Sequence, residues 1–233
     1  MSAVFHLDAS IRAVDSQSRA VARTLEQSIR EHLSELNVVR REVGLSPLPP
    51  TALALATQVL GLGERAAPKD PGAWTVNEAQ AMALATELAD EMLAADAYIF
   101  SVPLYNFGVS QHVKAWVDLL MTEPRFSIKI PSPVVTRPAY LIVARGGAYG
   151  PGTPKEGWDH ATPWLRRIFE DTWGLHLQLI EVELTLAEVN PEMESLRDLG
   201  ASNRYQAHAA ARDAGEQLAK RLMKLSAKVS SSA

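Results

Sequence analysis

Ala95–Leu120 reads ADAYIFSVPLYNFGVSQHVKAWVDLL. A short apolar run, Tyr98 to Val102, stops at Pro103-Leu104-Tyr105-Asn106-Phe107-Gly108, and an amphipathic segment begins near Ser110. The pattern predicts a buried strand, a tight polar-aromatic loop and a helix, in that order. In an α/β protein, loops at the carboxyl ends of strands are where ligands sit. This loop offers aromatic faces, an amide and a glycine rather than a run of charge, a set suited to holding something flat.

Working outward, Ala3 to Leu7 reads as a first strand ending in the polar turn Asp8-Ala9-Ser10. Ser16 or Ser18 can cap the helix that carries Val21, Leu25, Ile29 and Leu33 at helical spacing. Val38 to Val43 is a second, highly charged strand candidate, stopped by Pro47, Pro49 and Pro50. Leu53 to Leu62 predicts a short helix closed by Gly61 and Gly63, with a Pro/Gly-rich loop to Gly72. Thr75 to Ala95 is a helix with Thr75 or Asn77 as cap and Glu78 in its first turn. Beyond the helix from Ser110 to Met121, residues 122–137 are irregular and interrupted by proline. Ala139 to Ala144 is a buried strand ending in Arg145-Gly146-Gly147. A helix from His160 to Thr172, a strand from Leu175 to Leu184 and a helix from Arg204 to Lys224 complete the chain, with Ser226 to Ala233 as a frayed tail.

Short apolar strands alternating with helices predict a doubly wound parallel sheet covered on both faces, in one domain over residues 1–225. The chain has 233 residues, enough for such a core, with 47% hydrophobic and 21% charged residues. A formal net charge of -4 argues against a nucleic-acid partner, which needs a basic excess. The absence of cysteine excludes disulfides, thiolate metal sites and cysteine nucleophiles. No signal peptide or membrane-length apolar run is expected, and a cytoplasmic enzyme or binding protein is the plain reading.

Three loops carry the chemistry. After the first strand, Ser10 and Ser16-Gln17-Ser18 stand before a helix N-terminus, where free N–H groups and the helix dipole attract an anion. Hydroxyls can add donors there, and Arg12 or Arg19 can neutralise charge, so a phosphate monoester fits. A plain serine cap explains the same residues. There is no G-x-G-x-x-G and no Walker lysine. Leu104-Tyr105-Asn106-Phe107 either folds its aromatics onto the core or presents stacking faces and hydrogen bonds. Arg145-Gly146-Gly147 is either a simple turn or a place where backbone approaches a ligand closely. Numbered along the chain, these loops follow what read as strands one, four and five. In the common doubly wound order 2-1-3-4-5, strands one, three and four are central. One nominal strand is then misnumbered, and Val38 to Val43 is the weakest.

Taken together, these motifs resemble the flavodoxin-like, FMN-dependent NADH:quinone oxidoreductases usually called azoreductases, over about residues 3–183. That family's P-M-Y-N-F loop and S-x-x-L-K-A-W-x-D helix match Pro103-Leu104-Tyr105-Asn106-Phe107, Ser110, Val113 and Lys114-Ala115-Trp116-Val117-Asp118. Its S…S-Q-S pattern matches Ser10 and Ser16-Gln17-Ser18. Its S-R-G-G loop and D-x-x-T-P-x-L motif match Ala144-Arg145-Gly146-Gly147, Asp159, Thr162-Pro163 and Leu165. Three separated motifs in the right order are far more specific than any one alone.

The resemblance implies that Ser10, Ser16, Gln17 and Ser18 hold the phosphate of a non-covalent FMN. Leu104, Tyr105, Asn106 and Phe107 would border its ring, and the Ala144, Arg145, Gly146 and Gly147 backbone its pyrimidine side. It implies a ping-pong, two-electron (hydride) transfer from NADH or NADPH to a quinone or azo acceptor. It also implies a homodimer, with the helices at Thr75–Ala95 and Ser110–Met121 as candidate contact faces. No side chain need be a nucleophile, and His160 and Tyr149 are the candidate substrate-side groups. Arg12 or Arg145 could bias the donor toward a phosphorylated nicotinamide, or serve the FMN phosphate.

The chain departs from the family in four places, one of them the connection after Ile128, which is shorter and richer in proline. Arg12 stands where an apolar residue is usual. Arg125-Phe126-Ser127-Ile128 replaces T-F-x-Y, and the Gly146–Gly157 loop is longer, with Tyr149, Trp158 and His160 near it. His6 reads as a satisfied core position, and Trp116, Trp164 and Trp173 as core or interface. Asp90, Glu91, Glu181 and Glu183 read as solvated faces. A flavodoxin-type electron carrier and a non-catalytic binding protein are the alternatives; the mild charge weighs against the first, and FMN binding would exclude the second.

Overall fold

Strand β1 (Ser2–Asp8) pairs between β2 (Leu36–Glu42) and β3 (Ala97–Pro103) in a five-stranded parallel sheet completed by β4 (Pro138–Ala144) and β5 (His176–Val182). The order is β2-β1-β3-β4-β5. The computed structural model describes residues 2–62 and 67–231, with side chains through residue 227. Gly63, expected to help close the short second helix, therefore lies outside the described residues; that helix ends instead toward Gly61, whose φ is 65°.

The three loops follow β1, β3 and β4, which corrects the strand count made from sequence, and the doubtful Val38–Val43 segment is a genuine strand. β2 sits at the sheet edge, where its two faces meet different helices. Arg40 leaves one face to bond His6 and Glu26 of α1 (Gln17–His32). Arg41 leaves the other to bond Glu87 and Glu91 of α3 (Val76–Ala94). The charges that weighed against the strand are what tie it to both layers.

Alternation along β1 divides the core in two, because successive strand side chains point to opposite faces. Phe5 and Leu7 join the cluster covered by α2 (Ala52–Val59), α3, α4 (Gln111–Leu120) and α5 (Ala161–Arg166). Val4 joins the cluster covered by α1 and α6 (Arg197–Ser231). In the first cluster Trp116 stacks on Phe5 at 5.9 Å and meets Trp173 edge-on at 5.6 Å, while Phe100 stacks on Phe169 at 4.0 Å. Trp116 and Trp173 are thus core, whereas Trp164 is half-buried with Lys114 Nζ 5.8 Å from its ring. Fully burying a large apolar side chain is worth about 1.5–3 kcal/mol, so this aromatic block anchors α4 beneath its loop.

Local signals set the helix starts. Ser16, not Ser18, caps α1 by accepting from Arg19 N–H, and Thr75 caps α3 in a reciprocal box with Glu78. Asp159 Oδ1 accepts from Ala161 and Thr162 N–H at the start of α5. The helix expected to Thr172 changes at Arg167 into a wider π-helical turn. The last helix begins at Arg197 rather than Arg204, and in its first turn a Cβ on Gly200 would stand 3.1 Å from Leu184 O, so glycine allows that close approach. At its middle, a Cβ on Gly215 would stand 2.6 Å from Leu25 O, so glycine permits α6 to lie close on α1. Backbone helix runs on through Ser231, so the tail expected from residue 226 is helical that far; residues 232 and 233 lie outside the described residues. Ala227 and Lys228 are good helix formers and continue the element.

Candidate functional site

The loops after β1, β3 and β4 meet at the carboxyl edge of the sheet around one cleft. Ser10, Ser16, Gln17, Ser18, Leu104, Tyr105, Ala144 and Gly146 line it together, as expected from sequence. Pro103, Arg12 and Asp15 also face it, and the far wall is Thr185 and Leu186, just beyond β5. Those last two were missed in the sequence, although the rule that ligands sit beyond strand ends applies equally to β5.

The first loop is a donor-rich cradle. Ser10, Ser16 and Ser18 are buried, and the Ser16 and Ser18 hydroxyls lie 3.3 Å apart. The N–H groups of Gln17 and Ser18 meet no protein acceptor among the described residues. Orphan donors at the start of a 16-residue helix, beside buried hydroxyls, form an anion site.

Arg19 does not face this cradle. It is buried, and Nε bonds Asp8 while Nη1 donates to Arg12 O and Ala13 O at 2.5 and 3.2 Å. Nη2 donates to Ser10 O at 3.2 Å. Arg19 is a staple that shapes the loop. The expectation that it neutralises a ligand is therefore corrected. Arg12, by contrast, is exposed, and its side chain has no hydrogen bond or ion pair among the described residues. The opposite side of the loop is held by Gly44, where a Cβ would stand 2.3 Å from Ser10 O.

The second loop is a tight turn in which Gly108 N–H donates to Tyr105 O at 3.0 Å. Its central residues, Asn106 and Phe107, both have positive φ, 47° and 66°. This left-handed geometry is tolerated by asparagine but costs a phenylalanine about 1–2 kcal/mol. Tyr105 Oη accepts from Ile11 N–H at 3.1 Å and so joins the second loop to the first. The strained turn leaves the Phe107 ring exposed, edge-on to Trp158 at 5.3 Å and 6.5 Å from Tyr149. Asn106 and Phe107 stand at the rim rather than in the cleft wall.

The third loop divides its duties. Gly146 and Gly147 keep N–H groups with no protein acceptor among the described residues, while the Gly146 and Gly147 carbonyls accept from Leu186 and Leu184. Arg145 is buried away from any ligand: Nη1 pairs with Glu181 at 2.5 Å and Glu183 at 3.0 Å. Nη2 pairs with Asp159 at 2.6 Å and donates to Thr162 Oγ1 at 3.0 Å. Burial pulls the Arg145 guanidinium down, but Glu181 and Asp159 outweigh it and hold it above its ordinary value. Glu183, on Arg145, and Glu91, on Arg41, are largely covered counter-ions rather than solvated faces, whereas Glu181 and Asp90 are exposed as expected and also pair with Arg145 and Arg125. Neither Arg145 nor Arg19 has charge to spare for a phosphate.

At the rim, Tyr149 is half-buried, and burial followed by the nearby Asp159 charge pushes its phenol up, so it is protonated at neutral pH. His160 is fixed through its main chain, donating to Phe107 O at 2.9 Å, and its residue is exposed. The arrangement can hold a phosphate monoester at α1, lay a flat ring against the β3 and β4 loops, and leave one face open under the aromatic rim.

Comparisons with known proteins agree on the fold. A family described as flavodoxin-like fold matches residues 2–220. An FMN-dependent NADH:quinone oxidoreductase from Frankia casuarinae is 36% identical over 214 residues, 91% of this chain and 98% of that protein. One from Parafrankia sp. is 34% identical over 215 residues, 91% of this chain and 98% of the relative. Among solved structures, an FMN-dependent NADH-azoreductase from Bacillus anthracis in complex with FMN superposes with a TM-score of 0.73 at 17% identity. That superposition covers 94% of this chain and all of the other.

Proposed function

The chain belongs to the FMN-dependent NADH:quinone oxidoreductases on the flavodoxin-like fold, and from that premise we propose how its own residues carry out the reaction. It is an FMN-dependent NADH:quinone oxidoreductase, and we propose quinones and/or azo compounds as its acceptors. Bound FMN would supply the two-electron redox chemistry that links NADH to the acceptor.

The observation that carries the residue assignment is the cradle at α1: three buried serines beside orphan N–H groups, with no arginine free within it but Arg12 exposed at its edge. It fits a phosphate monoester held by neutral donors and the helix dipole. Ser10, Ser16, Gln17 and Ser18 would hold that phosphate. Leu104, Tyr105, Asn106 and Phe107 would border the ring, and the free N–H groups of Gly146 and Gly147, following Ala144 and Arg145, would face its pyrimidine oxygens. Donor and acceptor would then occupy the one open face in turn, a ping-pong order. Tyr149 and His160, at that rim, are the proposed substrate-side groups, and the Tyr149 phenol is protonated and able to donate a hydrogen bond.

We also propose a homodimer, its contact formed by α3, α4 and the mouth of the cleft. The exposed Ile11, Val14, Phe107 and Trp158 around that mouth support a second copy closing over it. Among the described residues no helix is long and apolar enough to cross a membrane, and dependence on NADH supports a cytoplasmic location.

The test is a fluorescence titration of the apoprotein with FMN and with riboflavin. The cradle predicts a strong preference for FMN. Ser10→Ala and Ser18→Ala should each weaken FMN roughly tenfold or more, the worth of one hydrogen bond to a charged group, and leave riboflavin unchanged. Equal affinity for the two ligands would overturn the assignment.

A further inference from the structure

Lys155 lies in the long loop after β4, and its ammonium stands 5.5 Å from the ring centre of Tyr149 and 5.7 Å from that of Phe107. The same nitrogen would be 3.3 Å from a Cβ at Gly147, so it arches over the glycine pair beside the cleft. It makes no hydrogen bond and no ion pair among the described residues. The carboxylates Asp159, Glu181 and Glu183 are directed at Arg145, and Glu156, next to Lys155 in the chain, accepts from Gly152 N–H at 2.8 Å. A long cationic side chain held by two aromatic faces is positioned at little further entropic cost, and its charge has not been neutralised. The rings that hold it are the ones that form the rim, with Trp158 edge-on to Phe107.

We propose that Lys155 recognises an anionic substituent (carboxylate, sulfonate or phosphate) on the aromatic second substrate that enters the cleft. This rests on the reading of the cleft as the FMN site of a two-substrate enzyme. The anion could belong to the acceptor or to the diphosphate of the dinucleotide donor, and both present the same chemistry to the ammonium. A neutral acceptor of equal size would stack on the same aromatic rim but gain nothing from Lys155.

The test uses the FMN-loaded enzyme and two redox-inert probes, naphthalene-2-sulfonate and the neutral naphthalene-2-sulfonamide, with dissociation constants read from flavin and tryptophan fluorescence. The wild-type enzyme should bind the sulfonate about tenfold more tightly than the sulfonamide, equivalent to about 1.4 kcal/mol. Lys155→Gln should abolish that preference by weakening the sulfonate alone, and Lys155→Arg should restore it. KM for NADH, measured with a neutral quinone, separates the sources. A rise in Lys155→Gln assigns the anion site to the donor as well, and an unchanged KM assigns it to the acceptor. FMN-loaded enzyme in which Lys155→Gln alters neither the probe preference nor the NADH KM overturns the inference and leaves the FMN reading intact. Wild-type protein that fails to load FMN overturns both.

Discussion

Replacing Arg19 with methionine separates a staple from a ligand. Asp8 has no exposed side-chain surface, and Arg19 is its partner. Removing the guanidinium leaves a buried carboxylate unpaired, which costs about 3–5 kcal/mol. The buried Ser10 carbonyl also loses its Nη2 donor, worth about 1 kcal/mol more. Arg12 O and Ala13 O belong to exposed residues, and water can replace their lost donor. Against a typical domain stability of about 5–15 kcal/mol, the loss is large. Urea unfolding of the FMN-free protein is the assay. The midpoint of Arg19→Met should fall steeply, and adding Asp8→Asn should recover part of the loss because no buried charge remains. FMN affinity, measured under conditions where the variant is still folded, should fall less than the stability does. A stability change below about 1 kcal/mol, together with a tenfold or greater loss of FMN affinity, would refute the reasoning and make Arg19 a phosphate ligand after all.

Three more outcomes follow from particular contacts. Gly44→Ala drives a Cβ into Ser10 O, so FMN affinity should drop with a stability loss of about 1–3 kcal/mol; unchanged FMN binding would show the cradle free to relax. Phe107→Gly removes left-handed strain and should hold or raise apoprotein stability by about 1 kcal/mol while raising the acceptor KM, as seen by urea unfolding and steady-state kinetics. Acid should destabilise the α1–β2 contact. Burial pushes the His6 imidazole below its ordinary value, and His6 and Arg40 outweigh burial to hold Glu26 down at about 2. Both groups have depressed folded values, so their contribution is full at neutral pH, begins to fade below the ordinary histidine range and falls further as pH drops from about 4.5 toward 2. In Glu26→Gln, the urea midpoint should vary less with pH across that lower window.

The fold was legible wherever a local pattern coincided with burial. The apolar runs at Tyr98–Val102 and Ala139–Ala144 are central strands, buried on both faces, and the caps at Ser16, Thr75 and Ser110 begin helices as the sequence indicates. It was least legible at β2 and in the charged groups, because a charge in a sequence does not show its partner. Arg40 and Arg41 made Val38–Val43 the weakest strand candidate, and their partners Glu26, Glu87 and Glu91 lie on the flanking helices. Arg19 and Arg145 looked like ligands for an anion and are instead neutralised by acids up to 38 residues away. Lys155 drew no notice in a glycine- and proline-rich loop, since only the folded chain brings it over Phe107 and Tyr149. The cleft itself was readable as three loops, but the wall from Thr185 and Leu186 required the β4–β5 pairing.

The central claim is a two-substrate flavin enzyme working through this cleft. Its most direct test is an anaerobic titration of the FMN-loaded protein with NADH, followed in the visible flavin band, with a quinone added afterwards. The account predicts bleaching by NADH and return of the colour on quinone addition, at rates that keep pace with turnover. Tightly bound FMN that NADH does not bleach would contradict it and mark the protein as an electron carrier.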